Sequence, residues 1–342
     1  MKHNLKNLDQ FIESIFEDFT PKQRKVITAR FGLKTGKRVS LQEIGNELGI
    51  TRERVRQIEE HALRKLEGRV RDGASGFLDA VSKYLDSVGG VRRDDVLISE
   101  AKQSFPNVSS IKNAEQKLRF LFVAAENPLF NKETNDTHAF WYTNDSAKKK
   151  LSEFLKQAIH SFKNSDKQAF LAGKLYLAHC KDFVSCHLLS ISKQIGTNVF
   201  GELGLRAWPE IEPKTIRDKA YLVLRKHNEP LHFEDVAKHI SKYGIDKDSA
   251  HVQTVHNELI KDQRFVLVGR GMYALKEQGY EPGTVREVVT RLLKKQGPMH
   301  SAQVVDAVNK QRILKQNTIL LSLQNRRFFK RLDDGRYHVK EA

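Results

Sequence analysis

Arg52, Glu53, Arg56 and Gln57 lie within six residues of one another. Their side-chain types match base edges in the major groove of duplex DNA: arginine pairs with guanine, glutamate accepts from the cytosine amino group, and glutamine binds adenine. Recognition of this kind needs a helix that enters the groove on a fixed axis. A plainer reading, a solvated helix face carrying local ion pairs, is open to the same four residues. The residues before them decide in favour of DNA.

Ser40 is an N-cap, with Glu43 three residues on as its capping-box partner. Leu41, Ile44 and Leu48 then form one apolar stripe at helical spacing. Gly45 leaves room for a second helix to cross closely, and Gly49 ends the first helix in a left-handed backbone position. Thr51 caps the second helix, whose Val55, Ile58, Ala62 and Leu66 face inward. Two helices crossing steeply through a tight turn require this order of residues. Ahead of them, Asp9, Phe11, Ile12, Ile15 and Phe19 read as one short amphipathic helix.

The stretches Arg30-Phe-Gly-Leu33, Ser40-Leu-Gln-Glu-Ile-Gly45, Thr51-Arg-Glu-Arg-Val-Arg-Gln-Ile-Glu59 and Ala62-Leu-Arg-Lys-Leu66 resemble region four of a housekeeping-type bacterial sigma factor. The resemblance implies that Arg52, Glu53, Arg56 and Gln57 read the −35 promoter element. It places Arg54 or the helix N-terminus at Thr51 against phosphates. It also implies that the helix around Lys22 to Phe31 docks on the flap of the RNA polymerase β subunit. Some twenty residues precede the match, too few for the helices that hold core polymerase, so the expectation is not a complete sigma factor. Glu60 and His61 depart from the basic or small residues more usual in that family.

The chain has 342 residues with 39% hydrophobic and 30% charged, which suits several small domains better than one large core. The net charge of +17 points to a polyanionic partner. It is unevenly spread: +5 over residues 1–75, +2 over 76–212, +3 over 213–280 and +7 over 281–342. The two cysteines exclude a disulfide framework, no apolar run approaches a membrane span, and the start lacks the apolar core of a signal peptide. These features lead to the expectation of a cytoplasmic, nucleoid-associated bacterial protein.

After residue 212 one plan occurs twice. The first copy runs from Ile216, Ala220, Val223 and Leu224 through Pro230-Leu-His232, Val236 and Ile240, then Val255 and Leu259. It ends in Arg264-Phe-Val-Leu-Val268, the Gly269-Arg-Gly271 turn and Met272-Tyr-Ala-Leu275. The second runs from Val285, Val288, Val289, Leu292 and Leu293 to Pro298-Met-His300, Val304 and Val308, then Ile319 and Leu323. It ends in Arg327-Phe-Phe-Lys-Arg-Leu332, the Asp333-Asp-Gly335 turn and Tyr337-His-Val339. Three helices closed by a hairpin are the order of a winged helix. The tyrosines read as core anchors of the wings. Residues 213–276 further resemble the HARE-HTH family, the winged helix of the polymerase delta subunit, some of whose members act through protein partners. Candidate DNA contacts are His251, Gln253, Thr254 and Asn257 on one third helix, with Arg264 and Arg270 at its wing. In the last domain they are Gln316, Asn317, Ser322, Asn325 and Arg326, with Arg327, Lys330, Arg331 and Arg336 around the wing.

Residues 77–144 read as another winged helix, its hairpin formed by Pro128-Leu-Phe and Ala139-Phe-Trp-Tyr142. Residues 147–210 read as further helices and a degenerate copy, and near-neutral charge makes this middle a scaffold. His179-Cys180 and Cys186-His187 cannot converge tetrahedrally from one helix, so the expectation is buried cysteines and no metal. No phosphate loop, nucleophile elbow or metal-spaced carboxylates occur, so neither an enzyme nor a cofactor is expected.

The fold class read from these features is mainly α with short β-hairpin wings, a helix-turn-helix followed by tandem winged helices. The expected domains are 1–75, 76–146, 147–211, 212–279 and 280–342. The expected function is sequence-specific binding of promoter double-stranded DNA at transcription initiation, with RNA polymerase core as a partner and no small-molecule substrate. The alternatives are a delta-like polymerase accessory acting through protein contacts, and a restriction-type nuclease that uses these modules for targeting.

Overall fold

The computed structural model describes residues 5, 7–105, 111–164, 167, 183–246 and 250–340. The chain divides into two compact units, Met1–Gly196 with Leu203–Arg206, and Thr197–Glu202 with Ala207–Ala342. It is mainly helical with small antiparallel sheets, as expected.

Unit 1 opens with α1 (Leu8–Ser14), α2 (Pro21–Phe31), α3 (Leu41–Leu48) and α4 (Arg52–Gly73). The capping boxes at Thr20/Gln23 and Ser40/Glu43 are both made, and Thr51 Oγ1 accepts from Arg54 N at 3.1 Å. Each start is thereby fixed by a side chain satisfying backbone donors that have no partner within the helix. Val26, Ile44 and Val55 bury completely where the three helices meet. Gly49 closes α3 at φ +65°, in the left-handed region. A Cβ on Gly45 would stand 2.8 Å from the carbonyl oxygen of Ile50, so the residue admits the turn backbone rather than a crossing helix.

The chain continues through α5 (Ser75–Ser87), β1 (Val91–Arg93), α6 (Asp94–Gln103), α7 (Ala114–Ala125), β2 (Leu129–Asn131) and β3 (Phe140–Tyr142). The strands pair in the order β1-β3-β2, so residues 75–142 have the winged-helix arrangement. Its third helix, α7, lies inside. Lys117, Leu118, Phe120, Leu121, Phe122, Ala124 and Ala125 are all buried, and one core joins Leu8, Phe16, Phe31, Leu66 and Val70 to Phe77, Phe122 and Trp141. Phe120 stacks on Phe16 at 5.7 Å and meets Phe31 edge-on at 5.2 Å. Asn113 donates to the carbonyls of Leu33 and Lys34, Gln116 to that of Gly36, and Arg71 to that of Ala125. The helix-turn-helix and the middle winged helix therefore share one interior, and the expected boundary at 75/76 falls within it. The unit ends with α8 (Asp145–Asn164), α9 (Phe183–Leu189) and the hairpin of β4 (Ile195–Thr197) and β5 (Leu203–Leu205).

His179 and Cys180 lie outside the described residues. Cys186 corrects the buried-cysteine expectation: it is exposed on α9 and disulfide-bonded. His187 is buried and hydrogen-bonded to the Val88 carbonyl.

Unit 2 repeats the winged plan. The first copy is α10 (Ile216–His227), β6 (Leu231–His232), α11 (Phe233–Lys242), α12 (Val252–Lys261), β7 (Phe265–Gly269) and β8 (Met272–Leu275), with strand order β6-β8-β7. The second is α13 (Val285–Gln296), α14 (Ser301–Asn309), α15 (Gln316–Leu323), β9 (Phe329–Arg331) and β10 (Tyr337–Val339). There a single bridge from Met299 to Tyr337 stands in for the first strand. Thr215 and Thr284 cap the first helices with equivalent boxes. Tyr273 packs in the core of its copy as expected, and Tyr337 packs half-buried against its own. The copies are joined by Arg312, 5% exposed, which donates to the carbonyls of Leu267, Glu281 and Gly283.

Replacing Gly45 with alanine forces the α3–α4 turn apart, and a loss of about 1–3 kcal/mol is expected, read as a lower denaturant midpoint. A midpoint shift under a few tenths of a kcal/mol would show that the turn tolerates the methyl. Burial holds the imidazoles of His138, His187 and His239 below the ordinary histidine value. The unfolded chain takes up those protons near the ordinary value of about 6.5 while the folded chain resists, so stability is present above that pH and declines below it. Urea midpoints are therefore expected to be level from pH 8 to 7 and to fall towards pH 5.5; a rise towards acid would contradict this.

Candidate nucleic-acid interface

The first two turns of α4 carry Arg52, Glu53, Arg54, Arg56 and Gln57 in the open, with Thr51 at the cap, while Val55 between them is fully buried. The polar residues therefore share the outward face, as the spacing predicts. In the free protein this face is internally paired. Arg56 Nε donates to both Glu53 carboxylate oxygens at 3.1 and 3.0 Å, and Nη1 pairs with Glu60. The Arg56 hydrogen bond holds the Glu53 carboxyl below its ordinary range, and Glu53 in turn raises the arginine. Arg54 Nη1 donates to Gln57 Oε1 at 3.1 Å. The local ion-pair reading and the base-reading one are thus both present on a single surface. Exposed pairs of this kind contribute only about 0–1 kcal/mol, so exchanging them for base or phosphate contacts costs little.

Arg52 has no hydrogen bond or ion pair among the described residues. It borders a shallow hollow with Arg30, Ser40, Leu41 and Gln42 at the N-terminus of α3. Arg30 and Gln42 were absent from the sequence-derived set. The capping box at Ser40 was the signal available, because it marks a helix N-terminus whose free amides favour anions. On α2, Val26, Ile27 and Phe31 are internal, while Lys22 and Lys25 are exposed, Lys25 pairing with Glu47 at 2.7 Å.

In the first copy of unit 2, His251, Gln253, Thr254 and Asn257 are exposed on α12, with Gln253 bonded to Asn257 at 3.2 Å. Arg270 is exposed at the tip of the tight β7–β8 turn. Arg264 corrects the sequence reading. It is bound to Asp262 and Asp218, and lies 5.0 Å over the Tyr221 ring, so it closes the domain rather than facing outward. In the second copy Gln316, Asn317, Asn325, Arg326, Arg327, Lys330 and Arg331 are exposed and Ser322 is half-buried. Arg336 is held by Asp334 in the wing turn, whereas Arg326, Arg327, Lys330 and Arg331 have no ion-pair partner among the described residues. Middle-copy α7 presents no comparable face. Among the described residues no three histidine, cysteine or acidic side chains gather as for a metal ion.

This geometry is that of helix-turn-helix and winged-helix modules with polar third helices. Known proteins bear the same stamp on two segments. The family described as sigma-70 region 4 matches residues 16–67. The HARE-HTH family, described as an ASXL and restriction endonuclease HTH domain, matches residues 214–278. RNA polymerase sigma factor RpoD of Neisseria gonorrhoeae is 41% identical over 80 residues, 23% of this chain and 12% of that protein. RNA polymerase sigma factor SigA of Clostridium acetobutylicum is 48% identical over 59 residues, 17% of this chain and 16% of that protein. RNA polymerase sigma factor sigB of Arabidopsis thaliana is 41% identical over 63 residues, 18% of this chain and 11% of that protein. The chain thus spans less than a fifth of the length of these relatives.

The two wing arginines make opposite predictions. Arg264→Ala should lower the stability of unit 2 by about 1–2 kcal/mol and leave the salt dependence of DNA binding unchanged. Arg270→Ala should leave stability alone and reduce the salt slope by about one. Melting curves and DNA titrations across salt read both, and the reverse assignment would remove Arg270 from the interface.

Proposed function

We propose that this chain is a sequence-specific DNA-binding transcription factor of bacterial promoter initiation. It reads a −35-like element through α4 and falls short of a complete sigma factor. The observation that carries this is the capped, fully exposed N-terminal face of α4, lying inside the segment similar to sigma region 4. Thr51 and Arg54 meet phosphates, Arg52, Glu53, Arg56 and Gln57 meet bases, and Arg30 and Gln42 flank them. The unpaired Arg326, Arg327, Lys330 and Arg331 extend the phosphate contact from the last winged helix, and His251, Gln253, Thr254, Asn257, Arg270, Asn317 and Arg336 do so with shorter reach. The functional division follows residues 1–75, 76–146, 147–211, 212–279 and 280–342, and the protein acts in the cytoplasm at the nucleoid. A contact of α2 with the polymerase β flap rests on Lys22 and Lys25, since its apolar residues are internal.

A second reading has an observation of its own. Ile260 on α12 and Leu321 on α15 are 62% and 67% exposed, aliphatic side chains on the helices that would enter a groove. They favour a delta-like role in which the C-terminal pair binds protein.

Selection from a random duplex pool by the full-length chain tests the first reading. Recovery of a TTGACA-like motif is expected, with Arg52→Ala and Glu53→Ala each relaxing one position by about 1–3 kcal/mol. Equal loss on every sequence refutes base reading. Co-purification with core polymerase that survives both changes, with no motif selected, transfers the case to the second reading.

A further inference from the structure

Within unit 1 a cavity of about 600 Å³ opens between the helix-turn-helix and the middle winged helix. Arg30, Arg38 and Glu59 form one wall, and Phe130, Lys132 and Trp141 the other. An adjoining hollow of about 360 Å³ shares Arg38, Phe130, Lys132 and Trp141 and reaches Arg119 and Asp94. Spaces of this size accept small organic ligands.

The aromatic wall is built in two layers. Trp141 is buried, its Nε1 donating to Asp94 at 2.8 Å, and Phe130 lies against it at 4.6 Å between centroids while remaining 38% exposed. One ring is anchored and the other offers a face.

The charges are unevenly committed. Arg30 pairs with Glu59 at 3.3 Å, Arg119 with Asp94 at 2.9 Å, and Glu133 with Lys193 at 2.5 Å. Arg38 and Lys132 have no ion-pair partner among the described residues, and the lining acid left to oppose them is Glu126. Partial burial, with Arg119 and Arg30 nearby, pushes the Arg38 guanidinium below its ordinary value. A cation held in that way gains from an incoming anion.

We propose that this cleft binds a ligand of the nucleotide class, its base stacked on Phe130 and its phosphates on Arg38 and Lys132. Stacking on an aromatic face tolerates every base, and the two cations supply the phosphate contacts. The site uses none of the residues assigned to base reading on α4, so it stands or falls independently of the proposed promoter binding.

Calorimetric titration of the full-length chain, without DNA, tests it with adenosine triphosphate, inorganic triphosphate and adenosine as separate probes. The nucleotide is expected to bind about tenfold or more tightly than either fragment, because each fragment lacks one half of the site. Arg38→Ala and Phe130→Leu are each expected to weaken it about tenfold with the melting midpoint unchanged. Lys132→Ala, at an exposed position, serves as the independent variant should Phe130→Leu unfold. Inorganic triphosphate binding as tightly as the nucleotide would reduce the cleft to an anion patch. No binding at millimolar nucleotide, or binding indifferent to the variants, would also overturn the proposal. So would capture of a single-stranded oligonucleotide that the nucleotide cannot displace.

Discussion

The burial of α7 is the constraint on which unit 1 depends. A winged helix ordinarily leaves its third helix on the surface, free to enter a groove. Here the same helix is apolar around most of its circumference, and Phe120 and Phe122 point in different directions from it, into α1–α2 and into the β3 side of the core. Exposing such a helix would leave several large apolar side chains in water, at roughly 1.5–3 kcal/mol apiece. Packing α1, α2 and α4 against it removes that cost and leaves the opposite, polar face of α4 outward. A helix that would otherwise read DNA has become the beam that holds another reading helix in place.

That arrangement explains the length of α4. Its first two turns form the exposed polar face, while Ala62, Leu66 and Val70 continue into the core shared with α7. Base reading at one end is thus rigidly backed by burial at the other. The polar end can remain electrostatically quiet until it meets a partner, because Glu53, Arg56 and Glu60 neutralise one another. An anionic groove competes for Arg56 and releases Glu53 towards a base donor, so approach and specificity draw on the same three side chains.

Much of this was legible in the sequence, for local reasons. The capping boxes, the Gly45 and Gly49 turn, and the inward row of Val55, Ala62 and Leu66 are short-range patterns, and the wing turns at Gly269-Arg-Gly271 and Asp333-Asp-Gly335 are too. What could not be read is long-range. Nothing near Arg264 announces that Asp218, more than forty residues earlier, will hold it. The shared core of residues 8–141 was divided at 75 because amphipathic spacing reveals that a face is buried but not what buries it. The nucleotide-sized cleft was invisible for the same reason. Arg38, Phe130 and Trp141 are each ordinary in their own neighbourhoods and meet only through the tertiary fold.

The three winged copies show how one topology is turned to different ends by the composition of its third helix. In α7 the outward positions are apolar or committed, with Lys117 bound to Asp9 and Arg119 to Asp94, and the copy becomes scaffold. In α12 they are His251, Gln253, Thr254 and Asn257, a polar face beside a single free wing cation, Arg270. In α15 polar residues share the surface with exposed Leu321, and the unpaired cations cluster instead at Arg326, Arg327, Lys330 and Arg331 between helix and wing. The buried positions hardly differ in kind: Leu118, Val255 and Ile319 are all fully enclosed. Core composition therefore specifies that each segment is a winged helix and carries no information about its partner. The partner is written in the few outward side chains, and in whether a neighbouring element has already covered them.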